Sequence, residues 1–434
     1  MLPSNIPIPL PGGLRGPLPR FVSVAQNFPT ETVDDVDAAV AAEFARISPG
    51  DLTGKSVAVG VGSRGIGPQP AVLKAVIREL LAAGAKPFII PAMGSHGGGN
   101  AKGQEAVLTS YGITEATMGV PIRSSMDVVK VDELDDGTPV YCDKLAYEAD
   151  FIVPCNRVKP HTSFRGTHES GLMKMLAIGL SKHEGATVLH FHGFKHFHHL
   201  IPEAGKRFLA KTKVLFGIAM VENAREELRH VELVPAQDFV ERDAALLEMA
   251  KASIPQLLFK SIDLLVIDKI GKDISGAGMD PNVTGKPGSR MEGFSMGPPI
   301  NRIVIRDLTD ATEGNATGIG MADVTTQRVV AKLDWTKTYL NIVTAGALDG
   351  ARLPIVADTD QDAIGIGIRG CPGIASDQAR IVRVRNTLEM TTVWASEPML
   401  AEIEANPRLE RLSDPFACEF DADGALLGTI ELEH

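Results

Sequence analysis

Residues Ser56–Met93 read SVAVGVGSRGIGPQPAVLKAVIRELLAAGAKPFIIPAM. The run from Ser56 to Gly62 is short, apolar and β-branched, the pattern of a strand buried on both faces. Pro70 opens a helix to about Ala83 that Gly84 ends, and Pro87–Met93 is the next strand. Strand, helix and strand within about forty residues make a βαβ unit with a parallel sheet. In an open parallel sheet, ligands bind outside the carboxyl ends of the strands. Both loops that emerge there carry unusual residues: GSRGIGPQP holds Ser63 and Arg64, and GSHGGGNAKG holds His96 followed by Gly97 and Gly98.

The pattern continues on both sides. Asp34 and Asp35 can cap a helix through about Ile47, and a further helix is expected near Ala101–Tyr111. The segments VPIRSS, TPVYC and DFIVPCNRVKPH read as strands, the last delivering the chain to His161. Two more strands, Lys213–Asn223 and Val231–Gln237, precede an amphipathic helix from Ala236 to Ala252 that stops at Ile254-Pro255. A fresh strand at Ser261–Gly271 opens a second domain, with strands at Asn301–Leu308 and Leu340–Gly346, a helix from Ala322 to about Lys332, and a terminal hairpin turning at Asp423-Gly424. The predicted fold class is α/β, with two α/β domains, largely parallel sheets and an interdomain cleft. Residues 1–255 form the N-terminal cofactor-binding and catalytic domain and 256–434 the C-terminal domain, whose last ~30 residues pack back on the N-terminal one.

The totals agree with this division, since 434 residues exceed what one core supports. A formal charge of −11 argues against a nucleic-acid surface. Four widely spaced cysteines read as reduced thiols, the amino terminus lacks a secretory pattern, and no apolar run reaches the ~18 residues of a membrane span. The expectation is a cytoplasmic protein with a small-molecule partner and neither nucleic acid nor membrane.

Chemistry concentrates in Val158–His199, VKPHTSFRGTHESGLMKMLAIGLSKHEGATVLHFHGFKHFHH, which holds eight of the eleven histidines. Imidazole is the commonest protein metal ligand and titrates near neutral pH, and Lys159, Arg165 and Lys174 lie among these rings. The mixture suits an anion beside a metal; a solvated histidine-rich loop is the alternative. His192, His196 and His199 can share a helix face, and His190 follows a β-rich run. No HExxH arrangement is present, and neither glycine-rich loop matches a phosphate-binding fingerprint. Lys174, in an otherwise apolar helix-like segment, either snorkels to the surface or is held in a pocket.

Taken in order, SRGIGPQP, PAMGSHGG, KPHTSFRGTHESGLMK, the run to His190 and the GMDPN loop resemble the nickel-pincer lactate racemase (LarA) superfamily. The resemblance implies a racemase or epimerase of a 2-hydroxy acid that works through a nickel pincer nucleotide. Lys174 would tether that cofactor and His190, sixteen residues on, would ligate nickel. His96 and His161 would be the acid/base pair, and Arg64, with Ser63, Gly97 and Gly98, would hold the cofactor or an anion. Arg165, His168, Asp280, Asn282 and Lys286 would face the substrate. The stretch between His161 and Lys174 is about three residues longer than in the family, so His168 competes with His161 as second base. Val61, Ser63, Leu172 and Met173 also depart from the family pattern, and Asp280, Asn282 and Lys286 mirror its substrate-contacting positions only in part, which implies a substrate other than lactate. Two other readings compete: a histidine-based metal hydrolase using zinc-bound water, and a non-catalytic nickel- or nucleotide-binding protein of the same fold.

Overall fold

The computed structural model describes residues 13–62 and 67–432; Ser63 and Arg64, both sequence-derived site residues, lie outside them. The first strand, β1 (Phe21–Gln26), leaves the amino-terminal half altogether. It pairs with strands formed late in the chain, so the described residues up to Phe28 fold with those from Pro255 onward, and Pro29–Ile254 form a second compact unit.

The Pro29–Ile254 unit is built on β2 (Ser56–Val61), β3 (Lys86–Pro91), the separate hairpin β4 (Val128–Glu133) and β5 (Pro139–Asp143), then β6 (Phe151–Arg157), β7 (Phe216–Glu222) and β8 (Leu228–Pro235). Its sheet runs β3-β2-β6-β7-β8, parallel except for β8. Val57, Val59 and Val61 of β2 pack with Val72, Val76 and Leu80 of the helix Gln69–Ala82, which is the expected βαβ unit. Ala58 faces the other way, into a core shared with Leu172, Leu176 and Leu180. Alternation along the strand thus puts a helix on one face and the Lys174 segment on the other. Gly60 keeps that approach close, since a Cβ would stand 3.0 Å from Leu180 Cδ2 and push that side chain aside.

The other unit contains β9 (Ile262–Ile270), β10 (Ile300–Leu308), β11 (Val324–Thr326), β12 (Ile355–Ala357), β13 (Ile381–Val384), β14 (Thr392–Ser396) and β15 (Leu409–Arg411). Its sheet order is β12-β11-β10-β9-β13-β14-β1-β15; β12 through β13 are parallel, and β14, β1 and β15 alternate antiparallel. The tail joins this unit: Phe416 bridges to Phe21, and Leu426 donates its N–H to Asp360 at 3.0 Å. The expected turn at Gly424 is present, with φ +76° inside a Phe420–Leu426 bridge.

Three local expectations are corrected. LNIVTAG is not a strand but the end of the helix Trp335–Ala345, which Asp334 caps at Lys337 N and left-handed Gly346 ends. Residues 322–332 divide into β11 and the short helix Gln327–Lys332. His190 lies in the helix Lys182–Phe191 rather than at a strand end. In each case an apolar, β-branched run satisfies a helix's apolar face as well as a strand's, and in Trp335–Ala345 the Asp334 cap and Gly346 mark the helix. Among the described residues no helix is long and apolar enough to cross a membrane.

Candidate active site

The strand order sets the location. From β2 the chain steps one way to β3, and later places β6 on the opposite side, so the winding reverses between β2 and β6. Loops leaving the two strands at such a reversal splay apart and open a crevice. Those loops start at Gly62 and Val158, and the loop after β3 starts beside them, because Val61 is paired with both Pro91 and Cys155.

The loop after β6 winds around one carboxylate. Glu169, with no exposed surface, accepts from the backbone N–H of His161 (2.8 Å) and Gly166 (3.3 Å) and from Arg165 Nη1 (3.1 Å), and Lys251 Nζ stands 3.6 Å away. A buried anion persists only when partnered in this way. Arg165 Nη1 also reaches the carbonyls of His161 (2.8 Å) and Phe164 (3.1 Å), so the arginine braces the loop that carries His161.

The two histidines of this loop differ in state. Ser163 N–H donates to His161 Nδ1 at 3.0 Å, which leaves the neutral ring's proton on Nε2. His168 Nε2 faces the Val240 carbonyl at 2.8 Å and must donate to it, while its Nδ1 pairs with the Thr167 hydroxyl at 3.0 Å. His168 is buried, and desolvation holds its pKa below the ordinary value.

Lys174 and His190 share one continuous segment: the turn Leu172–Lys174, a π-helical stretch Met175–Gly179 and the helix Lys182–Phe191. Single π turns are common at functional sites. The segment's first N–H groups, on Leu172 (2.7 Å) and Met173 (3.3 Å), donate to the buried carboxyl of Asp243, which comes from the helix Phe239–Ser253. Gly171 makes that approach possible: its φ is +136°, and a Cβ would lie 2.2 Å from Asp243 Oδ1. Desolvation pushes the Asp243 pKa up to about 7 against the pull of both N–H donors.

His190 Nδ1 lies 2.6 Å from the Ala186 carbonyl, so this nitrogen carries the proton and the lone pair is on Nε2. Although part of the residue is open to solvent, desolvation of the ring lowers its pKa, and the charge of nearby Lys174 lowers it further. The ring is therefore a neutral donor atom near pH 7. Three phenylalanines join it to His161. Phe197 packs 5.2 Å from both Phe164 and Phe194; His161 lies 4.5 Å from Phe164, and His190 lies 5.1 Å from Phe197.

His96 is exposed at the start of the loop after β3, where Gly97, Gly98 and Gly99 all have φ near +65°. A Cβ on Gly97 would sit 2.7 Å from Gln104 N, so the turn itself requires glycine. Asn100 then caps the helix Ala101–Ser110 through Gly103 N at 2.9 Å. Gly94 lies against Ile178 and Ala186, where a Cβ would be 3.1 Å and 3.4 Å from their side chains. The loop of His96 thus rests on the segment of Lys174 and His190.

Asp280, Asn282 and Lys286 belong to the other unit. Asp280 Oδ1 accepts from Asn282 N (2.9 Å) and Nδ2 (2.7 Å), capping the turn Pro281–Thr284, and Lys286 pairs with Asp323 at 2.9 Å. Among the described residues, no three His, Cys, Asp or Glu side chains converge as a metal-binding group.

The fold resembles that of lactate racemase. A solved structure of the lactate racemase apoprotein from Thermoanaerobacterium thermosaccharolyticum is similar over 85% of this chain and 98% of that one, with a TM-score of 0.50 and 13% identity. At that identity the likeness concerns the fold alone, and it agrees with the α/β architecture expected from the sequence. Residues 62–271 match a family described as a domain of unknown function, DUF362. No match is found among curated proteins.

Sequence reasoning missed the residues that shape this site. Asp243 falls at helical spacing with Phe239, Leu246 and Ala250 on a buried stripe, and a carboxylate in an apolar stripe is a readable sign of a buried acid. Glu169, alone among the cations of its loop, gave a weaker sign. Lys182, buried with Asp143 at 3.0 Å, gave none, since its partners are remote in sequence.

Proposed function

We propose that this chain is a racemase or epimerase of a 2-hydroxy acid that binds a nickel pincer nucleotide through Lys174 and His190. The observation that carries the reading is the state of His190. Its Nδ1–H is committed to a backbone carbonyl, the ring is neutral, and Nε2 is left as a single donor beside the Lys174 amine. Metal-bound imidazoles ordinarily have such a second-sphere carbonyl. A cofactor that supplies its own sulfur and carbon ligands asks the protein for one nitrogen and one tethering amine, and the residues present fit that demand. A zinc hydrolase would ask for three protein ligands on one ion.

When bound, the cofactor would supply reversible hydride acceptance at the substrate's α-carbon. The chain's part is proton handling and orientation. His161 carries its proton on Nε2 and so donates a hydrogen bond to the substrate's oxygen, while His96 accepts the hydroxyl proton and can return it. Exchanging these roles for the opposite enantiomer costs His161 its Ser163 hydrogen bond, about 1 kcal/mol. Lys159 and Arg165 supply positive charge for a carboxylate or phosphate, in the loop that Glu169 fixes. The protein purified from a host that makes the cofactor should contain nickel and show a mass increment on the Lys174 peptide. It should also invert a 2-hydroxy acid with α-deuterium largely retained. Loss of the deuterium to water, or full activity in Lys174→Ala, would overturn the reading.

A further inference from the structure

Lys182 has no part in the chemistry above, yet it is the most completely enclosed cation of the site's surroundings, with no exposed surface. It occupies a left-handed conformation, φ +55°, at the junction between the π-helical stretch and the helix of His190. A non-glycine residue there is strained unless its side chain is held. The ammonium donates to the Pro91 carbonyl at the end of β3 (2.6 Å) and to Gln104 Oε1 (3.3 Å), and stands 3.0 Å from Asp143 Oδ2. Burial lowers its pKa, and Asp143 opposes that shift.

Gln104 is buried as well, and its other end is directed at the His96 loop. Its Nε2 donates to the carbonyls of Gly94 (2.9 Å) and His96 (3.2 Å). Gly94 N–H donates to the Gly179 carbonyl at 3.1 Å, which ties the base of the loop to the Lys174 segment, but the remaining glycine contacts are non-directional packing and leave the His96 end unfixed. The chain from Lys182 through Gln104 to the two carbonyls is directional. A buried ion pair kept only for stability is often replaceable, as a pair, by apolar side chains without loss, whereas removing Lys182 alone would strand the charge of Asp143.

We propose that Lys182 is a positioning residue: through Gln104 it holds the loop Gly94–Gly99, and hence His96, in register with the segment that carries Lys174 and His190. This rests on the proposed acid/base role of His96. Once loop and segment are tied to one ammonium, His96 and the cofactor-holding residues form one body.

The test uses the full-length protein and three variants. Gln104→Glu retains an acceptor for Lys182 but removes both N–H donors to the loop. Lys182→Met removes the hub, and Lys182→Arg asks whether a second cation restores it. Hydrogen exchange of peptides spanning Gly94–Asn100 should quicken about tenfold in Gln104→Glu, while Tm stays within about 2 °C of wild type. In cofactor-loaded protein, kcat should fall about tenfold or more with KM and nickel content unchanged. Lys182→Met should show the same loop signature, and Lys182→Arg should recover part of it. Wild-type exchange and kcat in Gln104→Glu would overturn the proposal even if Lys182→Met fails to fold. Faster loop exchange in a chain whose wild type inverts no hydroxy acid would support the tie between loop and segment and count against the racemase reading alone.

Discussion

Two imidazoles seven residues apart differ in chemistry because of what their nitrogens touch. His168 is held between the Thr167 hydroxyl and the Val240 carbonyl, and burial keeps it neutral; His161 accepts at Nδ1 from Ser163 N–H and packs on the Phe164 face. The sequence presents both as histidines in a cationic loop and leaves them as rivals, because Val240 lies 72 positions away and no local pattern announces it. On the proposed function, His161→Ala lowers kcat about 100-fold or more with little change in Tm. His168→Ala lowers Tm, since it strands a buried carbonyl at a cost of about 1–3 kcal/mol, and leaves kcat within a few-fold at low temperature. Thermal melts and steady-state kinetics on the two variants check this pair, and a reversed pattern would make His168 the proton carrier. Glu169 belongs to the same scale: a single carboxylate gathers two backbone N–H groups and a guanidinium, and the shape of the His161 loop follows from it.

The segment Leu172–Phe191 depends on how it starts. Its first two N–H groups end on Asp243, whose carboxyl titrates near 7 because the cost of burying charge exceeds what the two donors return. An acid whose folded pKa is raised binds a proton in the native state that the unfolded chain releases near its ordinary value of about 3.9. Its contribution to stability is therefore complete below about pH 4 and is lost as pH rises to about 7. Asp243→Asn should flatten the pH dependence of Tm between about pH 4 and 7. Calorimetry at several pH values reads this directly; an unchanged profile would mean that the carboxyl titrates as in the unfolded chain. At this scale the sequence was most readable where spacing and cap agree. The Ser56–Met93 unit and the helix Val36–Ile47, capped by Asp35, form as expected. It was least readable where one apolar run serves either period, as in Trp335–Ala345, or where the helix departs from 3.6 residues per turn, as in Met175–Gly179.

At the scale of the whole molecule the connectivity matters more than the packing. The Pro29–Ile254 unit is an uninterrupted stretch of chain, whereas the other unit is assembled from both ends, with β1 lying between β14 and β15. Strand periodicity made the parallel sheets legible, but nothing local tells a first strand which late strands it will join. Removing residues 1–28 should therefore damage the distant unit, not the adjacent one. Hydrogen exchange should rise sharply in β13 to β15 while β2 to β7 stay protected, and loss of protection in β2 instead would contradict this. The same feature has a consequence during synthesis. β1 leaves the ribosome early and cannot pair until β14 has been translated, roughly 20 s to over a minute later at about 5–20 residues per second. Meanwhile Pro29–Ile254 can fold as it emerges. The nascent chain thus carries the apolar FVSVAQ strand unpartnered for most of its translation, which makes this segment a natural client for a chaperone and the point at which overexpression would first produce aggregates.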